Sequence, residues 1–347
     1  MIKNLQKIII GIISIVMLSS CKDKPPVVYP GHFPDFSINF GEINSEFDDY
    51  NSDIQLLGDK LLFHFSSNRK SQGQHFDIIG ERLFLRFNQI SGIFTFETDS
   101  TINWYANIES MIDSVNSLHD EFGPYSFSYS NIKGGSVNNW ISLLMYSSDA
   151  EGSNDIYFIY TPDGQKTMSS SQKLGFIDMD ANELYPSFFG IDFYFHDEWG
   201  TDPSKIMSMV YCSDKDGQFD IYNVELTQGA DIITTLSSSE ILESQKLDLS
   251  SSYDDKCPYV NGYLMVFASN RIEGFGGYDL YYSQYENGNW STPINFGDKI
   301  NTEYDEFRPI TLREFGFDNN LMIFSSNRLG GKGGFDLYYV GIDKMIE

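Results

Sequence analysis

The feature that most constrains the fold is a repeated string. FASNRIEGFGGYDLYY at 267–282 and FSSNRLGGKGGFDLYY at 324–339 are nearly the same. A fuller search adds FSSNRKSQGQHFDIIG at 65–80 and two shorter relatives, YSSDAEGSNDIYF at 146–158 and YCSDKDGQFDIYN at 211–223. Five copies at intervals of 81, 65, 56 and 57 residues indicate a repeat architecture rather than a single ligand-binding loop.

Each copy predicts a β-hairpin. An apolar run such as LMVFAS (264–269) leads into a turn whose Asn or Asp can bond its own backbone, and a second apolar run follows. The repeated polar positions are Asn68, Asp149, Asp214, Asn270 and Asn327 before the turn, and Asp77, Asp155, Asp220, Asp279 and Asp336 after it. Five equivalent copies favour a structural role in the turns over a catalytic one.

A second repeated element precedes each hairpin, most clearly as NSLHDEFGPYSF (116–127) and NTEYDEFRPITL (301–312). It predicts a loop that leads into an innermost strand, and segments such as NWSTPINFGDKIN (289–301) supply an outer strand. Units of four short antiparallel strands predict an all-β fold, a β-propeller of five blades. A sixth blade within 84–140 stays an alternative, although apolar residues at helical spacing favour an insertion there.

The two ends of the repeat region complement each other. SINFGEINSEFDD (37–49) resembles PINFGDKINTEYDE (293–306), so the chain starts with what is elsewhere the last strand of a blade. It ends with FDLYYVGID (335–343), which corresponds to a third strand. We therefore predict that the N-terminal strand completes the last blade and closes the ring.

The two longest strings resemble the TolB-like, WD40-like propeller repeat of exported bacterial proteins, and weaker likeness covers most of 36–342. This resemblance implies a propeller domain over 36–347 and a role in protein complexes near the outer membrane. The second and third copies depart from the pattern, since Asp149-Ala150 and Asp214-Lys215 replace Asn-Arg. Three arginines follow the repeat Asn, and we expect them to pair with neighbouring acids or to bind a partner at the rim: Arg69, Arg271 and Arg328.

The N-terminus predicts export. Two lysines precede the apolar run IIIGIISIVML (8–18), which is too short to span a bilayer but has the length of a signal-peptide core. The following LSSC resembles the lipobox of bacterial lipoproteins, which implies cleavage after residues 1–20 and acylation of Cys21. The polar and proline-rich stretch 21–35 then predicts a membrane tether. We expect a protein that is lipid-anchored to the cell envelope at the outer membrane; an ordinary secretory signal is the alternative.

Composition excludes one class of partner. The formal net charge is −26 and no cluster of Lys or Arg stands out, so we exclude nucleic acid. Cys212 occupies a position where other copies have Ser or Ala, which favours a small buried residue, while a disulfide with Cys257 stays open.

One turn resembles a calcium loop. DKDGQFD (214–220) places carboxylates around a glycine, and Glu225 is the twelfth residue from Asp214. Because Asp220 is a repeat turn residue and Glu225 falls in a predicted strand, a solvated turn is favoured and no metal is expected. The chain has no GxSxG, P-loop or CxxC motif, so we predict no cofactor and no catalytic residue from motifs.

The function expected from these observations is a non-catalytic, membrane-anchored propeller lipoprotein that binds an envelope protein or another ligand such as a glycan. The alternative is a carbohydrate-active hydrolase with carboxylates in the central channel, because glycosidases use paired acids. The acids at the start of the innermost strands would distinguish the two, by forming either a repeated ring or a pocket with unmatched members: Asp49, Glu121, Glu183, Asp255 and Glu306.

Overall fold

The computed structural model describes residues 28–57, 60–98, 106–130, 140–162, 167–177, 180–194, 201–314 and 316–345. The predicted signal peptide and acylated Cys21 lie outside these ranges and stay predictions. Part of the predicted tether belongs to the folded domain, because Phe33 is fully buried and stacks on Phe317 with ring centroids 4.3 Å apart. The propeller therefore begins before residue 36.

Five antiparallel sheets confirm the predicted all-β, five-bladed propeller. The first strand along the chain is β1 (Ile38–Asn39). From the innermost strand outward, the first blade contains β2 (Asp49–Leu57), β3 (Lys60–Ser67), β4 (Asp77–Asn88) and β5 (Ile93–Thr98). The second contains β6 (Glu121–Ser130), β7 (Trp140–Ser148), β8 (Asp155–Tyr160) and β9 (Gln172–Lys173).

The remaining blades repeat this order. The third contains β10 (Glu183–Phe189), β11 (Ser208–Ser213), β12 (Asp220–Glu225) and β13 (Ser244–Lys246). The fourth contains β14 (Asp255–Asn261), β15 (Leu264–Ser269), β16 (Asp279–Glu286), β17 (Asn289–Trp290) and β18 (Ile294–Asn295). The fifth contains β19 (Glu306–Leu312), β20 (Asn320–Ser326) and β21 (Asp336–Ile342), with β1 as its outermost strand.

The extra residues of the first interval form a helix, as predicted, and not a sixth blade. Helix α1 (Ala106–Val115) places Met111 and Ile112 among buried side chains of the first two blades. Strand β5 forms the outermost strand of the first blade. A short 3₁₀ helix (Pro203–Lys205) and helix α2 (Ile232–Leu236) belong to the third blade. No helix in the described ranges is long and apolar enough to cross a membrane.

The N-terminal strand closes the ring as predicted. Strand β1 pairs with β21 through Ile38 opposite Tyr339 and Asn39 opposite Tyr338. The Asn44 side chain adds two bonds to the backbone of Leu337, accepting from its N–H at 2.8 Å and donating to its carbonyl at 2.9 Å. Closure thus rests on side-chain bonds as well as on the short strand pair.

The innermost strands surround the axis, since each contacts the next and β19 contacts β2. Each of these strands contains a β-bulge near its start. The residue two positions after the first acid has a positive φ in every strand: Asn51, Gly123, Tyr185, Cys257 and Arg308. Gly123 is required by close approach as well, because a Cβ there would lie 2.3 Å from the Tyr185 ring. The bulges bring side chains of different blades into contact at the axis.

Candidate functional site

The repeat Asn and Asp before each turn anchor the neighbouring loop. The Asn270 side-chain oxygen accepts the backbone N–H of Asp254 at 2.9 Å. Asp214 replaces the amide in the third blade, yet it accepts the N–H of Asn182 at the same distance. The other copies make the equivalent bond: Asn68 to Asp48, Asp149 to Asp120, and Asn327 to Asp305. All five thus have the structural partner that a turn role requires.

The aspartates after the turn fall into two types. Asp279 and Asp336 each accept two backbone N–H groups of their own turn and an amide from the outermost strand, Asn295 or Asn39. In the second and third blades the outermost strand supplies a lysine, and the ion pairs Asp155–Lys173 (2.7 Å) and Asp220–Lys246 (2.6 Å) form instead. Asp77 of the first blade is also buried. These carboxylates join the outer strand to the hairpin.

The three repeat arginines point inward to acids of their own blades. Arg271 donates to Asp255 at 2.8 Å and to the Leu249 carbonyl at 2.7 Å. Arg69 pairs with Asp49 and Arg328 with Glu306 in the same way. Because each guanidinium is already bonded to a fully buried carboxylate, a rim ligand would have to share it.

Two members of the ring of acids have no arginine partner. Glu121 accepts the hydroxyl of Ser117 at 2.6 Å, and Glu183 accepts that of Ser213 at 2.7 Å. Both side chains are at most 1 % exposed. Burial raises the pKa of each from 4.5 to about 7, because desolvation disfavours the charged form more than these hydrogen bonds favour it. The five acids therefore form a repeated ring with two unmatched members, all closed off from solvent.

Side chains fill the axis. Arg308 is 0 % exposed and donates to the carbonyls of Pro258 (3.2 Å) and Pro124 (3.3 Å). Its guanidinium lies 5.2 Å from the centre of the Tyr185 ring and 6.0 Å from that of Tyr259. A glycan could not reach carboxylates at this level of the axis. Among the described residues of this ring, no acid is accessible to serve in a catalytic pair in the central channel.

Above this level lies a surface that we call the axial mouth. It combines residues that follow the ring acids with residues that precede the repeat aspartates, and all are only partly buried: Tyr50, Phe76, Phe122, Phe219, Lys256, Tyr278, Phe307 and Phe335. The rings contact one another, as in Tyr50–Phe76 at 4.8 Å and Tyr278–Phe307 at 5.1 Å. The repeat thus gives the axial mouth a surface made mainly of aromatic rings, which we call the aromatic floor.

A cleft of about 410 Å³ opens between the third and fourth blades. Its lining runs from strand ends that lie away from the repeat turns, at Phe189 of β10 and Glu225 of β12, to Leu249, whose carbonyl accepts from Arg271. The rings of Phe189, Tyr285 and Trp290 pack together with centroids 4.6 to 5.2 Å apart. This volume is in the range of small-ligand pockets.

The polar lining of the cleft is acidic and amide-rich. Glu225 and Asp248 are both exposed carboxylates, and no Lys, Arg or His within the described ranges lines the cleft. The uncharged polar side chains of the lining are Ser208, Asn223, Gln228 and Asn289, and Tyr285 and Trp290 add a hydroxyl and an indole N–H. Sequence reasoning missed this site; its one local signal is the Asn-Gly turn of the hairpin that pairs Tyr285 with Trp290.

The two cysteines are buried, and acids of the turn that resembles a calcium loop are bonded to groups of the protein. Cys212 and Cys257 are free and fully buried, and burial raises the pKa of the Cys212 thiol to about 12. In the loop, Asp214 bonds to Asn182 and Asp216 accepts the Tyr222 hydroxyl. The described ranges contain no group of three or more potential metal ligands.

The fold is similar to that of glycoside hydrolases. An alpha-L-arabinofuranosidase from Podospora anserina, in complex with cellotriose, superposes with a TM-score of 0.50 at 10% identity, over 92% of this chain and 98% of that one. A GH62 hydrolase in complex with xylotriose gives 0.50 at 9% identity, over 91% and 98%. At these identities the likeness shows the fold alone. No family model and no curated protein matches the chain.

These comparisons correct the expected function. The two solved structures named above are glycoside hydrolases, so no comparison supports the expected non-catalytic interaction lipoprotein, and the carbohydrate-active alternative replaces it as the leading hypothesis. The propeller part of the family resemblance is confirmed. Its TolB-like and lipoprotein parts have no support from the comparisons.

Proposed function

We propose that this protein is a carbohydrate-active propeller that binds a glycan in the cleft between the third and fourth blades and hydrolyses it with Glu225 and Asp248. The observation that carries the proposal is the lining of the cleft, where an aromatic cluster stands beside two exposed carboxylates. The two similar glycoside hydrolase structures, which were solved with cellotriose and xylotriose, support a glycan as the ligand.

Each part of the lining has a role in this proposal. The C–H faces of a sugar ring carry slight positive charge and pack on the negative faces of Tyr285 and Trp290. Amide and carboxylate side chains, such as Asn289, exchange hydrogen bonds with sugar hydroxyls. Hydrolysis requires one carboxyl group to protonate the leaving oxygen and a second to act as base or nucleophile. Glu225 and Asp248 are the carboxyl groups of the lining to which we assign these roles.

The test combines binding and product release. The purified protein is titrated calorimetrically with neutral glucan, xylan, arabinan and galactan oligosaccharides, and reducing ends are measured after incubation. We expect Trp290→Ala to weaken binding at least tenfold, while Glu225→Gln and Asp248→Asn abolish release and retain binding. Tyr253→Ala, a partly exposed aromatic outside the cleft, serves as the matched control and should change neither quantity.

The two halves of the proposal can fail separately. Binding without release by the wild type would overturn the hydrolase assignment and leave a glycan-binding cleft. Equal affinities of the wild type and Trp290→Ala would exclude the cleft as the site.

We also propose, from the sequence, that the mature protein is exported and lipid-anchored to the outer membrane through Cys21. Cys21→Ala should abolish incorporation of a labelled fatty acid and release the protein into the soluble envelope fraction. Retention of the label by the variant would refute the assignment.

A further inference from the structure

The axial mouth contains an unpaired cation in a strongly acidic protein. The Lys256 ammonium lies 3.9 Å from the centre of the Phe219 ring and 5.5 Å from that of Tyr278. These ring faces are the contacts found for it, and no carboxylate of the described residues pairs with it within 4.0 Å, although the net charge is −26. By contrast, the lysines of the outer strands, Lys173 and Lys246, both form ion pairs.

A second unpaired cation lies beneath the mouth. Arg308 directly follows the mouth residue Phe307, and it contacts carbonyls and ring faces but no acid in the described ranges. Its Nε is buried without a hydrogen-bond partner.

Four carboxylates border the mouth, and each is bonded to the protein itself. Asp48 accepts the N–H of Phe335 at 2.8 Å, and Asp120 accepts that of Phe76 at 2.8 Å. Asp254 accepts the N–H of Phe219 at 3.0 Å and the hydroxyl of Tyr278 at 2.8 Å. Asp305 accepts the N–H of Tyr278 at 2.9 Å and the amide of Asn327 at 2.9 Å. These carboxylates keep their charge, but among the described residues none lies within 4.0 Å of the Lys256 ammonium, which is therefore free to pair with an anion at the mouth.

We infer that the axial mouth binds the carboxylate of an acidic sugar ring, a uronic acid residue, through Lys256. The aromatic floor suits the C–H face of the ring, and Lys256 suits its anionic group, with Arg308 adding positive potential from below. The ring of Phe122 and that of Phe307 continue this floor on either side of the axis. This inference goes beyond the proposed function, because the mouth and the cleft share no lining residue and no Lys, Arg or His of the described residues lines the cleft.

The experiment measures binding of trigalacturonate and of neutral galactotriose to the purified protein by calorimetry. Lys256→Met removes the charge and keeps most of the apolar stem. Lys215→Met is the matched control, since Lys215 also lies 3.9 Å above an aromatic ring, that of Tyr222, and its removal changes the net charge equally. Circular dichroism and thermal unfolding establish that each variant is folded.

We expect the wild type to bind trigalacturonate at least tenfold more tightly than the neutral trimer. Lys256→Met should lose about tenfold or more in affinity for trigalacturonate, and Lys215→Met less than twofold. Should Lys256→Met fail to fold, the comparison of the two trimers on the wild type decides the question without it. Raising the NaCl concentration from 50 to 500 mM should weaken wild-type binding several-fold.

Two results would overturn the inference. The first is equal affinity of the wild type for the acidic and the neutral trimer. The second is loss of trigalacturonate binding in Trp290→Ala, which would place the sugar in the cleft instead. An inactive cleft leaves both measurements intact, so failure of the proposed function and failure of this inference are separate outcomes.

Discussion

Replacing Glu183 by glutamine should make the protein more stable at alkaline pH and remove part of its pH dependence. The carboxyl group is buried in the native state without a cation partner, and its pKa rises from 4.5 to about 7. Because the native state then binds the proton more tightly than the unfolded chain, stability is greatest below pH 4.5 and falls as the pH rises to about 7. At roughly 1.36 kcal/mol for each pH unit, the loss is about 3 kcal/mol.

Glutamine resembles the protonated side chain, keeps the oxygen that accepts the Ser213 hydroxyl, and cannot ionise. We therefore expect Glu183→Gln to match or fall slightly below the wild type at pH 5 and to exceed it by about 1–3 kcal/mol at pH 8. The assay is urea unfolding followed by tryptophan fluorescence at half-unit pH steps from 4.5 to 8.

Asp255→Asn is the contrasting control, because the same ring position there carries an ion pair with Arg271. Leaving that guanidinium without its buried partner should cost about 3 kcal/mol at every pH in this range. Parallel stability curves for Glu183→Gln and the wild type between pH 4.5 and 8 would refute the reasoning, since they would mean that Glu183 titrates alike in both states.

Three further outcomes follow from the packing. Gly123→Ala should lower the free energy of unfolding by about 2–4 kcal/mol, because φ is +53° and the new Cβ would clash with a tyrosine ring; Gly152→Ala, with open space around its Cβ, should cost about 1–2 kcal/mol. Asn44→Ala removes hydrogen bonds at the closure, and Asn301→Ala removes the equivalent bonds within the fourth blade. Urea unfolding should show similar losses of about 2–3 kcal/mol for both variants. Hydrogen exchange in β21 should accelerate only for Asn44→Ala. The two buried thiols should resist alkylation by iodoacetamide in the native protein and react after unfolding, as mass spectrometry would show.

The sequence was informative where one blade repeats another. The likeness of 37–49 to 293–306 predicted that β1 would complete the fifth blade, and both segments do lie at the outer edge of a sheet. The repeat Asn and Asp were interpretable for the same reason, because a role in the turn recurs with the turn. For Arg271 the sequence left open whether the side chain pairs with a neighbouring acid, such as Asp255, or binds a partner at the rim. A side chain at that position can reach inward or outward.

The cleft could not be predicted because it lies between blades. Phe189 and Trp290 are about a hundred residues apart in the chain, and they meet through the packing of the third blade on the fourth. Such contacts come from strand ends and links that differ from blade to blade, so no repeat marks them. Burial of Phe33 was missed for a similar reason, since a proline-rich segment gives no periodic pattern that shows whether it packs.

The closure also decides how the molecule would respond to tension. Force applied at the front of the chain reaches Tyr29 and Gly31 first, which hydrogen-bond to the backbone of Gln89 and Gly316. It then reaches Phe33, whose backbone N–H and carbonyl are both held by the side chain of Asn319. Only after those bonds yield does the load reach β1, which is two residues long. A pull on the leading segment would therefore detach one strand and open the ring at a single seam, while the four blades formed by continuous stretches of chain kept their sheets.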